Sequence, residues 1–299
     1  MQRRHFIRNT MLATGALSLP FAGNRVFAGS SSAMSHFKKS IMWGTVGMEG
    51  SVLDKCKAIK AAGFQGIEPN SHLDRKEVID AAKTTGLIIS DVCCTTHWGK
   101  PLSHPDAAVR NEGIEGAIVA LEDAAAYGSD AILLVPGVVN DTVPYDECWE
   151  RSVDGIRKLL PTAEKLKVKI CVENVWNNFL LSPLEACRYV DQFNSPFVKF
   201  YFDCGNILVY GLPEQWINIL GDRIGRVHIK EFSTKIAESQ GRRSGFGVPL
   251  TEGDVNWAKV MEALRKNYKN EWLATEQGNG KTPEDLKDLS GRFDKILSL

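Results

Sequence analysis

Residues 198–203 read VKFYFD, and this stretch decides the fold. Apolar and aromatic residues fill most of it, and one carboxylate, Asp203, closes it. A short apolar run of this kind is typical of a strand buried on both faces, as in a parallel sheet. Three other short apolar runs also end at a polar residue, namely Glu173, His228 and Glu276. The chain is therefore predicted to carry four polar side chains at the ends of four buried strands.

A strand-like run followed by a helical stretch recurs about eight times along the chain. Several helical stretches stop at a glycine just before the next run, at Gly63, Gly86 and Gly128. Ser51, with Asp54 three residues later, predicts a helix N-cap. Eight such units predict an α/β fold, a single-domain (β/α)8 TIM barrel. The predicted strands are 41–44, 66–69, 87–94, 131–135, 169–175, 198–203, 225–230 and 271–276.

Alternation within the later strands separates two faces. Cys171 and Tyr201 are predicted to point toward the barrel axis, and Val172 and Phe202 outward to the helices. The four strand-end residues share the inward parity, and they lie at the C-terminal ends of their strands, where barrels of this kind build active sites. One such carboxylate alone is more often a helix cap. Three carboxylates and one imidazole that converge are what a hard divalent cation needs.

The residues also carry a family resemblance, over about residues 40–297. Four segments resemble the metal-site motifs of the sugar phosphate isomerase/epimerase superfamily, a xylose isomerase-like TIM barrel family: VENVW at 172–176, YFDCGN at 201–206, VHIKE at 227–231 and TE at 275–276. The run 175–185 is similar to the branch close to L-ribulose-5-phosphate 3-epimerase and hexulose-6-phosphate isomerase. The resemblance implies that the four strand-end residues bind one divalent ion, with Glu173 and Glu276 doubling as acid/base groups.

One nitrogen and three oxygens suit Mn²⁺ first, with Co²⁺, Mg²⁺ and Zn²⁺ as alternatives. Loss of a proton next to a carbonyl leaves an enediolate, whose negative charge a divalent ion stabilises as a Lewis acid. A carboxylate on each side of the sugar allows proton loss from one face and return to the other, which is epimerisation. Return of the proton to the adjacent carbon gives isomerisation instead. Cys204 has the opposite strand parity and is not expected in the site.

Five further residues are expected to contact substrate at the barrel mouth, namely Glu68, His97, Trp176, Asn206 and Lys230. Glu68 and Lys230 have an equally simple alternative, an ion pair within the barrel. His97 is favoured as a site residue because Trp98 beside it offers an apolar face to a sugar ring. Asn206 stands where several epimerases of the superfamily have a histidine. Its amide donates hydrogen bonds but is no acid/base group near neutral pH.

The segment VPLTEGD at 248–254 only partly matches the glycine-rich turn that helps to hold phosphate in the family's sugar-phosphate enzymes. Thr251 stands where a glycine is usual. Arg242 and Arg243 offer compensating charge, but arginines in a loop rich in Gly and Ser are more often simply solvated. A non-phosphorylated substrate is therefore expected.

The N-terminal stretch QRRHFIR at 2–8, followed by a weakly apolar segment, has the layout of a twin-arginine export signal. We expect residues 1–28 to form this signal, 29–38 a linker and 39–299 the barrel. The apolar segment is too short to span a bilayer as a stable helix. The predicted location is periplasmic or otherwise exported, where phosphorylated sugars are scarce.

Charge and cysteine content restrict the partners. Lys+Arg and Asp+Glu are balanced at 36 each, and this zero net charge argues against a nucleic-acid partner. Seven cysteines, with Cys93 and Cys94 adjacent, do not resemble a disulfide framework. The expected partner is a small carbohydrate. Homo-oligomerisation stays open, since barrels of this architecture often pair.

These observations predict a metal-dependent carbohydrate isomerase or epimerase acting on a non-phosphorylated sugar. A 3-keto-glycoside lyase, using the same metal and base for β-elimination, is the alternative enzyme. A non-catalytic sugar-binding protein is a second alternative, but binding alone does not require a carboxylate on each face of the ligand. A phosphodiesterase with a metal cluster would need a basic groove and more than the six histidines present.

Overall fold

The computed structural model describes residues 36–278 and 280–299, so the predicted signal and most of the predicted linker lie outside the described residues. The strands are β1 Lys38–Met42, β2 Gly66–Glu68, β3 Ile88–Ile89, β4 Val92–Cys93, β5 Ala131–Leu134, β6 Lys169–Glu173, β7 Val198–Asp203, β8 Ile224–Ile229 and β9 Trp272–Thr275. The α-helices are α1 Val52–Ala61, α2 Arg75–Thr85, α3 Ala107–Tyr127, α4 Tyr145–Leu166, α5 Pro183–Asp191, α6 Cys204–Leu208, α7 Pro213–Leu220, α8 Thr234–Gln240, α9 Trp257–Asn267 and α10 Pro283–Leu297. Within the described ranges, no helix combines the length and apolarity needed to cross a membrane.

All of these strands belong to one parallel sheet, in the order β3-β2-β1-β9-β8-β7-β6-β5-β4. The two strands at the ends of this order, β3 and β4, follow one another in the chain with only Ser90 and Asp91 between them. The covalent chain therefore brings the two edges together, and the sheet curls into a nearly closed barrel with a helix after most strands. The predicted single-domain (β/α)8 TIM barrel is confirmed.

The predicted third strand, 87–94, is wrong as one continuous element, because the structure divides it into β3 and β4. Two polar groups at the junction bond to side chains from other strands of the barrel. The carbonyl oxygen of Ser90 accepts from the Arg226 guanidinium at 2.9 Å, and the Asp91 carboxylate accepts from the Tyr201 hydroxyl at 2.7 Å. The first strand also begins earlier than predicted, at Lys38.

Helix boundaries follow local chemistry, as predicted. The Ser51 hydroxyl accepts from the Asp54 N–H at 3.2 Å, and the Asp54 carboxylate accepts from the Ser51 N–H at 3.3 Å, which closes a capping box on α1. Gly86 and Gly128 end α2 and α3 with φ angles of 66° and 77°. Most side chains avoid this left-handed region, so glycine is the residue that ends these helices at least cost.

Two apolar cores lie on opposite sides of the sheet. The smaller one, inside the barrel, contains Cys171, Tyr201 and Leu133. The larger one, between the sheet and the helices, contains Val172 and Phe202. The predicted alternation of inward and outward residues is confirmed for these strands. Side chains that continue the inward parity at the C-terminal ends of β6 and β7 therefore point into the barrel mouth.

Candidate active site

Four adjacent strands bring the predicted strand-end residues together. Glu173 and Asp203 are the last residues of β6 and β7, His228 is the last but one of β8, and Glu276 directly follows β9. Asp203 and His228 are direct partners in the ladder between β7 and β8. Because β6 to β9 are parallel neighbours, their C-terminal ends meet at one end of the barrel, and the inward side chains converge there.

The four residues form a compact cluster. One potential ligand atom from each lies within 4.8 Å of the others. His228 Nδ1 is 3.3 Å from Glu276 Oε2, 3.7 Å from Glu173 Oε1 and 3.7 Å from Asp203 Oδ2. Both His228 Nδ1 and Asp203 Oδ2 are buried without a hydrogen-bond partner among the described residues. Buried polar atoms are rarely left unpaired, so these two atoms, aimed at a common point, fit a bound cation.

Electrostatics also favour a cation at this point. Burial raises the pKa of Glu173 to about 7, and the Glu276 carboxylate adds to the shift. Burial also acts to raise the pKa of Glu276, but Lys230 and His228 outweigh it and lower that pKa below its usual value. Burial lowers the pKa of His228, yet the surrounding carboxylates raise it well above its usual value. Positive charge at His228 Nδ1 offsets the clustered carboxylates, and a divalent ion would offset them more strongly than a proton.

Glu68, the last residue of β2, contacts the cluster from inside the barrel. Its Oε2 lies 2.8 Å from His228 Nε2, and both side chains are fully buried. Of the two predicted roles for Glu68, the structure favours the ion pair within the barrel over contact with substrate. A carboxylate that accepts from one ring nitrogen directs the other nitrogen, here Nδ1, at a metal, and raises its basicity. Glu68 therefore orients His228 toward the centre of the cluster.

Two residues of this support were not predicted from the sequence, Tyr201 and Asp91. The Tyr201 hydroxyl lies 2.7 Å from Asp91 Oδ2 and 3.2 Å from Glu68 Oε2, so it joins the two buried carboxylates. Asp91 lies at the junction of β3 and β4, which was predicted as the middle of one apolar strand. The sequence does contain one indication of this role for Asp91, because it is a lone carboxylate inside an apolar run. A charge that is buried in such a run needs a polar or charged partner.

Glu68→Gln is expected to lower the affinity for Mn²⁺ by about 10- to 100-fold, because a neutral amide supports the His228 ring less well than a carboxylate. Competition between the protein and a chromogenic chelator would measure this affinity. Glu262→Gln is the matched control, since Glu262 is exposed on α9, outside the cluster and its support. Equal affinities of wild type and Glu68→Gln would contradict the orienting role.

Asn206 and Lys230 lie against the cluster. Asn206 Nδ2 donates to Glu173 Oε1 at 3.2 Å, and Asn206 Oδ1 accepts from Lys230 Nζ at 3.3 Å. Lys230 Nζ is 2.8 Å from Glu276 Oε2 and 3.7 Å from Asp203 Oδ2. Asn206 and Lys230 thus each bond a cluster carboxylate, and for Lys230 this is the predicted alternative, an ion pair within the barrel. Together they hold Glu173 and Glu276 in fixed orientations.

His97 and the two predicted aromatic residues lie on loops at the same end of the barrel. His97 is only 6% exposed, and its Nδ1 accepts from the Val135 N–H at 3.3 Å. The proton of the neutral ring is therefore on Nε2. Trp98 and Trp176 are 44% and 48% exposed, and their rings stack at 5.5 Å between centroids. The structure thus places an aromatic pair at the surface beside a buried imidazole.

His97 makes stability depend on pH. Burial lowers its pKa to about 4, whereas an unfolded histidine has a pKa of about 6.5. Because the unfolded chain binds the proton more readily between these values, the contribution of His97 to stability is present above about pH 6.5 and is lost as pH falls. From pH 7.5 to 5 this loss is expected to be about 2 kcal/mol.

Urea unfolding in chelator at both pH values would measure this loss. His97→Asn is expected to show a smaller decrease than wild type, since the Asn amide oxygen replaces Nδ1 as acceptor and does not titrate. His36→Asn is the control, because His36 is exposed. An equal decrease in wild type and His97→Asn would contradict the assignment.

The turn predicted to bear on phosphate binding is stabilised by a buried carboxylate. Glu231 is fully buried and accepts from the N–H groups of Thr251 and Val255 at 2.9 and 3.0 Å, and from Trp257 Nε1 at 2.7 Å. Thr251 has a φ angle of 73°, so the backbone adopts the left-handed conformation that favours glycine, although the residue is threonine. The turn is therefore held by its own side chains.

Fold and cluster together define a class: a (β/α)8 barrel with an imidazole and three carboxylates gathered at the C-terminal ends of adjacent strands. The sequence profile of the xylose isomerase-like TIM barrel family matches residues 56–294, and the chain belongs to this family. L-ribulose-5-phosphate 3-epimerase UlaE of Escherichia coli O1:K1 / APEC is 25% identical over 72% of this chain and 78% of that protein.

Two solved structures are similar in fold. The apo form of 3-keto-D-glucoside 4-epimerase, YcjR, from E. coli has a TM-score of 0.73 with 17% identity, over 87% of this chain and 98% of that one. The IOLI protein with a bound zinc atom has a TM-score of 0.72 with 16% identity, over 88% of this chain and 98% of that one. Both likenesses show that the barrel architecture is shared.

Proposed function

We propose that this protein is a divalent-metal-dependent carbohydrate epimerase or isomerase. The observation that carries the proposal is the cluster itself, whose potential ligand atoms lie within 4.8 Å of one another, and in which His228 Nδ1 and Asp203 Oδ2 are buried without a hydrogen-bond partner among the described residues. The relationship to L-ribulose-5-phosphate 3-epimerase UlaE supports a sugar epimerase, and the zinc in the IOLI structure supports a metal in this architecture. We propose Mn²⁺ as the working ion, since one nitrogen and three oxygens suit it.

A divalent ion held by Glu173, Asp203, His228 and Glu276 would act as a Lewis acid toward neighbouring sugar oxygens. Glu276, ionised and 24% exposed at its side chain, is accessible from the barrel mouth and removes the proton next to the carbonyl. Glu173, three strands away across the cluster, returns a proton to the other face. Lys230 and Asn206 hold the two carboxylates in place during both transfers.

The proposed substrate is a non-phosphorylated sugar. Arg242 and Arg243 are exposed on the short 3₁₀ helix 242–247, and the turn around Thr251 is held internally by Glu231. Neither feature presents a dedicated phosphate site. We also propose export through the twin-arginine pathway to the periplasm or beyond, on the basis of the N-terminal sequence, and this location favours free sugars over sugar phosphates.

Solvent-deuterium incorporation followed by NMR tests the proposal. The Mn²⁺-loaded protein would be incubated in D₂O with free ketoses, free aldoses and 3-keto-glycosides. Deuterium at a carbon next to the carbonyl, absent after chelation, is the expected result, and it identifies the carbon. Steady release of an aglycone from a 3-keto-glycoside without epimer formation would indicate the lyase instead. Metal binding without exchange on any of these sugars would overturn the enzymatic proposal.

A further inference from the structure

Trp98 and Trp176 expose an unusual aromatic surface. Indole rings are normally well buried, since each covers a large apolar area. Here the two rings are 44% and 48% exposed and stack on one another with an interplanar angle of 26°. The pair is contiguous, so it presents one apolar patch and not two isolated side chains. Contiguous exposed apolar patches commonly mark binding surfaces.

The backbone beneath each ring is anchored beside the cluster. Trp98 follows His97, which is fixed by its hydrogen bond from the Val135 N–H at the end of β5. The His97 ring packs edge-on against Trp98, with 5.6 Å between centroids. Trp176 follows Val175, a residue of the core inside the barrel whose carbonyl oxygen accepts from the Tyr210 hydroxyl at 3.0 Å. The positions of the two indole rings are therefore fixed by the buried residues that precede them in the chain, His97 and Val175.

The separation from the cluster indicates the size of the ligand. Trp176 lies three residues after Glu173, and three residues of chain span at most roughly 10 Å. The cluster lies at buried strand ends, with Glu173 only 3% exposed, whereas the indoles are half exposed. A ligand that contacts both the buried cluster and the exposed rings would extend over at most roughly this distance, which two linked rings can span.

We propose that Trp98 and Trp176 form a subsite for the second ring of a glycoside, so that the substrate is a two-ring compound whose reacting sugar lies over Glu173 and Glu276. The inference rests on the proposed function for the reacting sugar. The shared chemistry of the second ring is a flat apolar face that stacks on indole. Such a face belongs either to another pyranose or to an aromatic aglycone.

Matched ligand pairs test the subsite. D-fructose and maltulose share the same ketose, and maltulose adds a glucose ring. Methyl and 4-nitrophenyl 3-keto-β-D-glucoside share the same keto-sugar, and the second adds an aromatic ring. In Trp98→Ala and in Trp176→Ala, the KM for the two-ring member is expected to rise about tenfold. The KM for the one-ring member is expected to rise by a clearly smaller factor.

Leu184→Ala is the control, since Leu184 is 71% exposed and lies at the start of α5, outside the aromatic pair. A rise with maltulose alone would identify a sugar as the second ring, and a rise with the nitrophenyl glycoside alone would identify an aglycone. Equal effects on one-ring and two-ring ligands, or no effect, would overturn the subsite and indicate that the pair only joins two loops.

Binding separates this inference from the proposed function. Quenching of tryptophan fluorescence by the same four ligands, in the Mn²⁺-loaded wild type and both variants, reports affinity without turnover. Tighter binding of a two-ring ligand, lost in the variants, supports the subsite even if deuterium exchange is absent, an outcome that overturns only the enzymatic proposal. Equal binding of one-ring and two-ring ligands overturns the subsite, whether or not exchange occurs.

Discussion

Glu276→Gln is expected to lower the rate of deuterium exchange by about 10³-fold, and Glu173→Gln the rate of epimer formation by the same factor, because Glu276 alone can return deuterium to the face from which it removed the proton. Glutamine keeps the size and most hydrogen bonds of glutamate but does not accept a proton near neutral pH. Each variant therefore lacks one of the two proton-transfer groups that we propose. The loss should appear in kcat, because the missing step is chemical and not the initial binding of the sugar.

The measurements are the initial rates of deuterium exchange and of epimer formation by NMR, combined with the metal content of each purified variant. Loss of exchange in metal-loaded Glu276→Gln, and loss of epimer formation with exchange retained in metal-loaded Glu173→Gln, would support the two acid/base roles. Glu271→Gln is the matched control, because Glu271 pairs with Lys38 at the opposite end of the barrel and should leave exchange unchanged. If Glu276→Gln kept more than about a tenth of the wild-type exchange rate, or Glu173→Gln more than about a tenth of the wild-type rate of epimer formation, the proposed role of that glutamate would be wrong.

Asp203→Asn is expected to abolish stabilisation by Mn²⁺. In the wild type, Mn²⁺ at a hundredfold excess over its Kd should raise the free energy of unfolding by about 2.7 kcal/mol. Asp203 Oδ2 is buried without a hydrogen-bond partner among the described residues, so a bound cation would satisfy it. The variant replaces a charged ligand by a weak neutral one, and the increase should fall below about 1 kcal/mol.

Without metal, the wild type is not expected to be the more stable of the two proteins. Burial raises the pKa of Asp203, which means that the ionised carboxylate is unfavourable where it lies. Asparagine removes that charge and retains the oxygen that accepts from the Asn206 N–H. Urea unfolding in chelator should therefore find Asp203→Asn at least as stable as wild type, with exposed Asp222→Asn as the control. Equal stabilisation of Asp203→Asn and wild type by Mn²⁺ would contradict the predicted ligand.

Much of the barrel could be predicted because the signals are local. Inward and outward side chains alternate every two residues along a strand, which separates Tyr201 from Phe202. Gly86 ends α2 because one residue there adopts a left-handed backbone conformation. The third strand could not be predicted in the same way. Where it divides, the Ser90 carbonyl accepts from Arg226, which is 136 residues away in sequence, and this contact exists only in the closed barrel.

The side-chain partners of Glu68, Asn206 and Lys230 could not be predicted for a similar reason. Glu68, Asn206 and Lys230 are polar residues near strand ends, and the sequence does not distinguish a side chain that faces the mouth from one that bonds a neighbour. In the structure each bonds a cluster residue. Side-chain partners across a barrel depend on strand order and tilt, which are properties of the closed sheet.

The sequence by itself determined the class of barrel and the four residues at its C-terminal end. Strand period, strand length and chain direction each depend on residues that are close together in sequence. Only the tertiary structure decided which partners those residues have. Glu68 meets His228 across 160 positions of sequence, and Trp98 meets Trp176 from a different loop. Such contacts exist only when closure of the sheet brings distant strand ends together at one end of the barrel. Which side chains then contact each other depends on how they pack in three dimensions and not on the local sequence pattern.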